Sequence, residues 1–296
     1  MHLTLPLMAS FLFVGALIFM KRAGEAGANS LTILCVSNLG SGVIFSIFWF
    51  LGGTFRGWHE IWQPAIIAML FVLGLAFTFA AIEKGDVSIA TPIFGVKVVF
   101  VAFLVTLLGL QDLPPSVWQA TVLATVGIGL IQWTGRSESH RVTLTVSLAL
   151  AAALSYATFD VLVQRWAPAW GIGRFLPIVY WMVGLSSLPL LPKIPWRALR
   201  NPKILLPLST GAILISMQAI CIVSALAVFG DAARVNVVYS LRGLWGVLLA
   251  WAVAKRWGGS ESNHSKGIML TRLAGAAILA AAVALVILSE IKQSDF

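Results

Sequence analysis

Charge is what this chain has least of. Asp, Glu, Lys and Arg make up only 10% of its 296 residues, where a soluble protein carries about 25%. Hydrophobic residues make up 59%. Apolar runs so long and so numerous exceed what one soluble core can bury, so a soluble enzyme or binding domain is excluded and a multi-pass membrane protein is indicated. Cysteine is nearly absent: Cys35 and Cys221 both fall inside apolar runs, where they read as small buried hydrophobes rather than a disulfide. The four histidines (His2, His59, His140, His264) sit in tails or loops without metal-ligand spacing, so no metal and no cofactor is expected. No Gly-x4-Gly-Lys-[Ser/Thr] motif occurs, which argues against ATP-driven pumping. Nor is there the nucleophile, general base or metal cluster near one interface that a membrane enzyme would need. The net charge of +9 comes from residues scattered over short loops. That pattern fits loops facing anionic lipid and excludes a nucleic-acid surface.

What is present is a succession of apolar runs between polar punctuation. They lie at about 4–20, 31–52, 64–82, 88–109, 117–134, 144–164, 175–191, 205–228, 233–254 and 268–290, ten in all. Lys21-Arg22 follow the first run and no Lys or Arg precedes it, so a retained first helix is expected rather than a cleaved signal. Gly85-Asp86 and Gly230-Asp231 read as tight turns, and Leu113-Pro114-Pro115 and Leu191-Pro192 as further breaks. Twelve Trp occur, and Trp58, Trp62, Trp118, Trp133, Trp166, Trp170, Trp196 and Trp257 fall near span ends, as an aromatic belt would.

The longest polar stretch, Gly135–Arg141, divides the chain near its middle. The two halves resemble each other at an offset of 145 residues, with Ala80 on Ala225, Gly85-Asp86 on Gly230-Asp231 and Leu104 on Leu249. The expected fold is therefore all-α integral membrane, with ten transmembrane helices as two inverted five-helix repeats, residues 1–137 and 138–296. Five spans per half is an odd number, so two direct copies enter the membrane from opposite sides. Such repeats place a substrate site near the midplane at their interface.

Lys97, Asp160 and Arg242 are the charged residues that fall well within apolar runs. Lys97 and Arg242 each lie about ten residues from either end of a run, so roughly 15 Å of helix separates them from water. Each costs about 2.5–3.5 kcal/mol on insertion scales, and such residues are functional by default. At the 145-residue offset Lys97 falls on Arg242, Phe94 on Tyr239 and Phe100 on Trp245. Each half thus reads aromatic-x2-cation-x2-aromatic, one helix face. Two cations at similar depth repel each other and call for an anion. Arg offers a planar fork for phosphate or carboxylate, Lys a mobile point charge. The four aromatics can stack on a ring, hold the cations by cation–π contact, or serve ordinary packing. Asn236, one turn before Tyr239, is a further polar candidate. Asp160 stands open between three roles: pairing with Arg242 in the empty state, carrying a proton, or reaching to the headgroups.

With these residues in place, the chain resembles the drug/metabolite transporter superfamily and its EamA-like ten-helix members. The resemblance covers nearly the whole chain. It rests on the ten spans, the halfway break, and the junctions Ala80-Ala81-Ile82-Glu83-Lys84-Gly85-Asp86-Val87-Ser88-Ile89-Ala90-Thr91-Pro92 and Ser224-Ala225-Leu226-Ala227-Val228-Phe229-Gly230-Asp231-Ala232-Ala233. The family's Gly-Glu pair after the fourth and ninth helices is replaced here by Leu110-Gln111-Asp112 and Lys255-Arg256. Organophosphate and nucleotide-sugar branches hold phosphate with basic residues in those helices, at places matching Lys97 and Arg242. The small multidrug branch uses a first-helix glutamate, and this chain has no acid between Met1 and Met20, which speaks against cationic drugs.

The resemblance and the residues together imply a secondary transporter of a small organic anion, phosphorylated or carboxylated, working by alternating access. Its expected partners are that anion and the lipid bilayer, with no nucleic acid, as a monomer or homodimer in a bacterial inner (plasma) membrane. An amino-acid or other metabolite exporter of the same superfamily is the alternative, and a channel or receptor the alternative of another class. Orientation divides the two lines of argument. Loops after the odd-numbered spans carry 13 Lys and Arg against 5 on the other side, and the positive-inside rule then puts both termini outside the cytoplasm. The family resemblance implies both inside. On the charge count, a C-terminal reporter active only in the cytoplasm is expected to stay silent; strong reporter activity would reverse the orientation.

Overall fold

The computed structural model describes residues 3–85, 87–132, 142–246, 248–249 and 266–294, with helices and no strand among them. The helices are α1 Thr4–Glu25, α2 Ser30–Phe45, α3 Trp62–Glu83, α4 Val87–Phe94, α5 Lys97–Leu107, α6 Pro115–Ile131, α7 Val142–Trp170, α8 Ile172–Ser186, α9 Pro202–Phe229, α10 Ala232–Tyr239 and α11 Lys266–Ser294. Short 3₁₀ segments, Ser46–Leu51 and Leu188–Lys193, prolong α2 and α8. Eight stretches among the described residues are long and apolar enough to cross a membrane, and Pro115–Ile131 is a shorter apolar helix. The chain is an all-α, multi-pass membrane protein. Of the ninth expected span, 233–254, residues 247 and 250–254 lie outside the described residues, as do Asp86, Gly135–Arg141 and Lys255-Arg256.

Helix ends follow the punctuation. Asn29 caps α2 by accepting from the Thr32 N–H at 2.7 Å, and Asn201 caps α9 by accepting from Lys203 N–H at 3.0 Å. Gly230 closes α9 in the left-handed conformation at φ 63°, which a residue with a Cβ adopts only at a cost. Helix α7 runs past the expected end at 164 to Trp170 and carries Pro168 inside its last turn.

The chain forms two compact units, Met1–Val72 with Leu162–Gly230, and Leu73–Val161 with Asp231–Phe296. Each draws helices from both sides of the chain midpoint. The first holds α1, α2, α8 and α9. Small residues let its backbones approach: a Cβ on Gly211 would lie 3.0 Å from Met20, and one on Gly42 3.2 Å from the Tyr180 carbonyl. Polar side chains bridge helices there, Ser41 to Ser216 at 2.8 Å and Asn38 to Ser187 at 3.0 Å. Trp170 is fully buried and its indole N–H donates to Gln63 at 2.8 Å. It is therefore core, not the interfacial anchor its place near a span end suggests. Cys35 and Cys221 are buried free thiols.

The second unit holds α4, α5, α6, α10 and α11, with parts of α3 and α7. Glycine meets glycine where α6 and α11 pack together. A Cβ on Gly275 of α11 would lie 2.7 Å from the Gly127 carbonyl and 2.8 Å from the Ile131 nitrogen of α6. Backbone cannot yield as a side chain tip can, so Gly275→Val is expected to cost about 1–3 kcal/mol through overpacking. A Gly275→Val protein as heat-stable as wild type would show that this contact is looser than it looks.

Candidate functional site

Two of the apolar spans are broken, and at matching places. Helix α4 stops at Phe94 and α5 begins at Lys97. Helix α10 stops at Tyr239 and helical backbone resumes at Arg242. At the 145-residue offset Val87–Phe94 falls on Ala232–Tyr239, and the turn residues Gly95-Val96 fall on Ser240-Leu241. Four backbone hydrogen bonds recur across the two breaks, while Ser240 N–H also donates to the Asn236 carbonyl at 3.0 Å. Gly95 N–H donates to Pro92 and Val96 to Ile93, both at 3.0 Å; Ser240 donates to Val237 at 3.2 Å and Leu241 to Val238 at 3.1 Å. Val98 to Gly95 is matched by Gly243 to Ser240, and Phe100 to Val96 by Trp245 to Leu241. The first three pairs are i to i+3 bonds, a short 3₁₀ tightening of the kind that marks a hinge or functional break, and the last is the i to i+4 bond of the resumed helix.

The causes are local and differ between the halves. Pro92 removes a donor inside α4, but its counterpart Val237 does not, so proline is not what the breaks share. Gly95 sits against α6, where a Cβ would meet Ile128 at 2.8 Å. Ser240 donates its hydroxyl to the Val237 carbonyl at 2.5 Å, the back-bonding that bends helices. Every residue of α10 is buried, as an eight-residue helix with open ends inside a membrane protein requires. Asp231 caps it, accepting from Arg234 N–H at 3.2 Å and from the Arg234 guanidinium at 2.7 Å. Arg234, at the start of the ninth expected span, is thus part of a buried ion pair.

Each break places a cation first in the resumed helix. Lys97 Nζ lies 2.6 Å from Asp160 Oδ2, with the Lys97 side chain 12% and the Asp160 side chain 4% exposed. Asn236 Nδ2 donates to the same carboxylate oxygen at 2.7 Å and to the Ala232 carbonyl at 3.0 Å. Asp160 therefore pairs with Lys97, not with Arg242, and it is buried rather than turned to headgroups. The Arg242 guanidinium carbon lies 4.5 Å from the Tyr239 ring centroid, a cation–π distance. The Arg242 charge acts on Lys97, Tyr156 and Tyr239, so the group is one electrostatic cluster. All of these residues belong to the second unit.

The structure brings together Lys97, Asp160, Asn236, Tyr239 and Arg242. It does not bring Phe94 to them: that ring packs on the apolar cluster of Ala81, Ala90 and Ala149. Phe100 and Trp245 are half-buried one turn beyond their cations. Tyr156 and Thr78 are the residues that sequence reading misses. The Tyr156 hydroxyl is hydrogen-bonded to Thr78, whose own hydroxyl donates to the Gly74 carbonyl at 2.8 Å. A Cβ on Gly74 would sit 2.7 Å from the Tyr156 ring, so this glycine makes the ring's seat. The available signal was Tyr156 standing four residues before Asp160, on the same helix face.

Residues 2–133 match the model of the EamA-like transporter family. No curated protein matches the sequence. Among solved structures, one crystal structure superposes with a TM-score of 0.69 over 99% of this chain and 98% of its own, at 16% identity; this likeness speaks to the fold. The family match covers the first 45% of the chain, and together with the apolar helices it makes the chain similar to EamA-like membrane transporters.

Proposed function

We propose that this protein is a secondary transporter of a small organic anion, and that the anion is held by Lys97 and Arg242. One observation carries the reading: both cations stand first after a break, in two helices that share four backbone hydrogen bonds at the 145-residue offset. Broken helices in transporters expose half-helix ends and their partial charges to a substrate. The N-terminal end of α5, at Lys97, adds positive character where the anion would sit. Arg242 supplies the two-pronged contact, Tyr239 supports its guanidinium, and Asn236 and Asp160 hold Lys97 in place. The correspondence of the two breaks also supports the inverted five-helix repeats, with Lys97 and Arg242 as symmetry mates.

Asp160 favours a second reading. A zwitterionic amino acid could present its carboxylate to Arg242 and its ammonium to Asp160, in competition with Lys97. Uptake by the purified full chain in liposomes separates the two: the anion reading expects saturable uptake of carboxylates or phosphate esters, inhibited by other anions and indifferent to amino acids. Uptake of amino acids alone would favour the second reading. Catalysed change of the anion, with no movement across the bilayer, would discard both.

A further inference from the structure

We propose that an aromatic groove in the first unit binds one anionic phospholipid, with an acyl chain in the groove and the phosphate on Arg174. The groove belongs to the first unit and the Lys97–Arg242 cluster to the second, so this site stands independently of the transport reading. Trp49, Phe55 and Trp58 form one wall, and Ile178, Met182 and Leu185 of α8 the other. The three α8 residues share one helix face, and Arg174 stands one turn before them on that face, near the start of α8. The groove exposes no polar surface; the indole N–H of Trp181, which also lines it, donates to Ser46 at 2.7 Å. The loop that carries Phe55 and Trp58 is pinned in place. Thr54 N–H donates to the Trp170 carbonyl at 2.8 Å, and the Phe55 ring meets Trp58 and Trp170 edge-on at 5.5 and 5.8 Å. Gly53, at φ 121°, lies so close to α8 that a Cβ would sit 3.1 Å from the Arg174 Cγ.

Charge decides what sits at the mouth. The Arg174 guanidinium carbon lies 5.2 Å from the Trp49 ring centroid, a cation–π distance, and no acidic side chain pairs with it among the described residues. The first unit has two acidic residues, Glu25 and Glu60. Glu25 ends α1, across the length of α2 from this loop. Glu60 is taken by Arg56 at 3.5 Å and His59 at 4.0 Å. Trp49, Trp58 and the edge-on pair Trp62 and Trp166, 5.1 Å apart, mark this end of the unit as headgroup level, where the abundant anions are lipid phosphates. Width decides what lies below. The groove holds about 350 Å³. Over the two turns from Ile178 to Leu185, about 10 Å, that is a channel roughly 6 Å across, whereas a helix with its side chains needs about 10–12 Å. A hydrocarbon chain fits it and a helix of a second copy does not. An anionic head above an apolar tail is what an arginine above an apolar groove selects; a choline head brings its own cation and loses that advantage.

The test uses the purified, delipidated full-length protein with dioleoyl phosphatidylglycerol and dioleoyl phosphatidylcholine as probes, bound lipid being read by native mass spectrometry. Wild type is expected to bind phosphatidylglycerol at least about fivefold more tightly, the effect of one basic residue at an anionic headgroup. Arg174→Gln is expected to bind the two lipids alike. Arg165→Gln, which removes an exposed arginine near the end of α7, is expected to keep the preference. Leu185→Trp narrows the groove and is expected to weaken both lipids, by about fourfold for each methylene displaced. Leu185 is exposed, so this variant folds and carries the test where Arg174→Gln does not. Equal affinity of wild type for the two lipids overturns the proposal, and so does an unchanged preference in Arg174→Gln. A preference lost equally in Arg165→Gln overturns it as well, because surface charge alone would then draw the lipid. So does lipid binding untouched by Leu185→Trp. A dimer that Leu185→Trp dissociates and phosphatidylglycerol leaves intact would put a second copy in the groove instead.

Discussion

A Lys97→Gln, Arg242→Gln double variant is expected to fold, reach the membrane and take up no organic anion. The reason is energetic as well as geometric. Two cations deep in apolar helices cost roughly 5–7 kcal/mol together on insertion scales, and Asp160 pairs with Lys97 at 2.6 Å. In the proposed function the substrate's charge offsets a further part of that cost. Charge-assisted contacts of this kind are worth about 1.5–3 kcal/mol each, so loss of both lowers affinity by a factor on the order of 100 or more. The glutamines keep much of the side-chain volume and remove the insertion cost of both cations, which offsets part of the penalty of leaving Asp160 without its counter-ion, so the variant is expected to fold with reduced stability. Arg242→Lys alone should weaken binding although charge is kept, because the planar fork and its stacking on Tyr239 are lost. Wild-type uptake by the double variant would make both residues structural.

Replacing Asp160 by Ala is expected to cost about 3–5 kcal/mol of stability, the penalty for stranding a buried charge by removing its partner. Lys97 loses its counter-ion and the Asn236 amide loses one of its two acceptors at a single stroke. Replacing the pair together, Lys97→Met with Asp160→Leu, should recover most of that loss, because a well-packed apolar pair is often as stable as a buried ion pair. The recovered protein should nonetheless bind anions poorly. Thermal unfolding of the purified variants checks the ordering; an Asp160→Ala protein as stable as wild type would mean that the contact seen here is not held in solution.

How much of this was legible beforehand depends on whether the cause is local. The apolar stretch 205–228 announces α9, Pro202–Phe229, because hydrocarbon selects for length and apolarity and little else. Gly230 announces its end because only glycine takes φ 63° cheaply. The depth of Lys97 and Arg242 is visible for the same reason. The breaks before them are not. Gly95 breaks its helix partly by packing on Ile128, and Ser240 by bonding its own backbone; neither differs in composition from an unbroken span. The choice of Lys97 over Arg242 as the partner of Asp160 is likewise a matter of which helix faces which. So is the role of Thr78 and Tyr156, and so is the withdrawal of Phe94 into an alanine-lined cluster. Spacing along one helix names a face, and only packing says what the face meets.

The most direct test of the central claim is ligand-induced stabilisation of the purified protein across organic phosphates, carboxylates and amino acids, wild type beside the Lys97→Gln, Arg242→Gln variant. A ligand at 100 times its dissociation constant raises stability by about 2.7 kcal/mol, well within reach of a thermal shift. The account predicts a shift for anions in the wild type and none in the variant; an equal shift in both would contradict it.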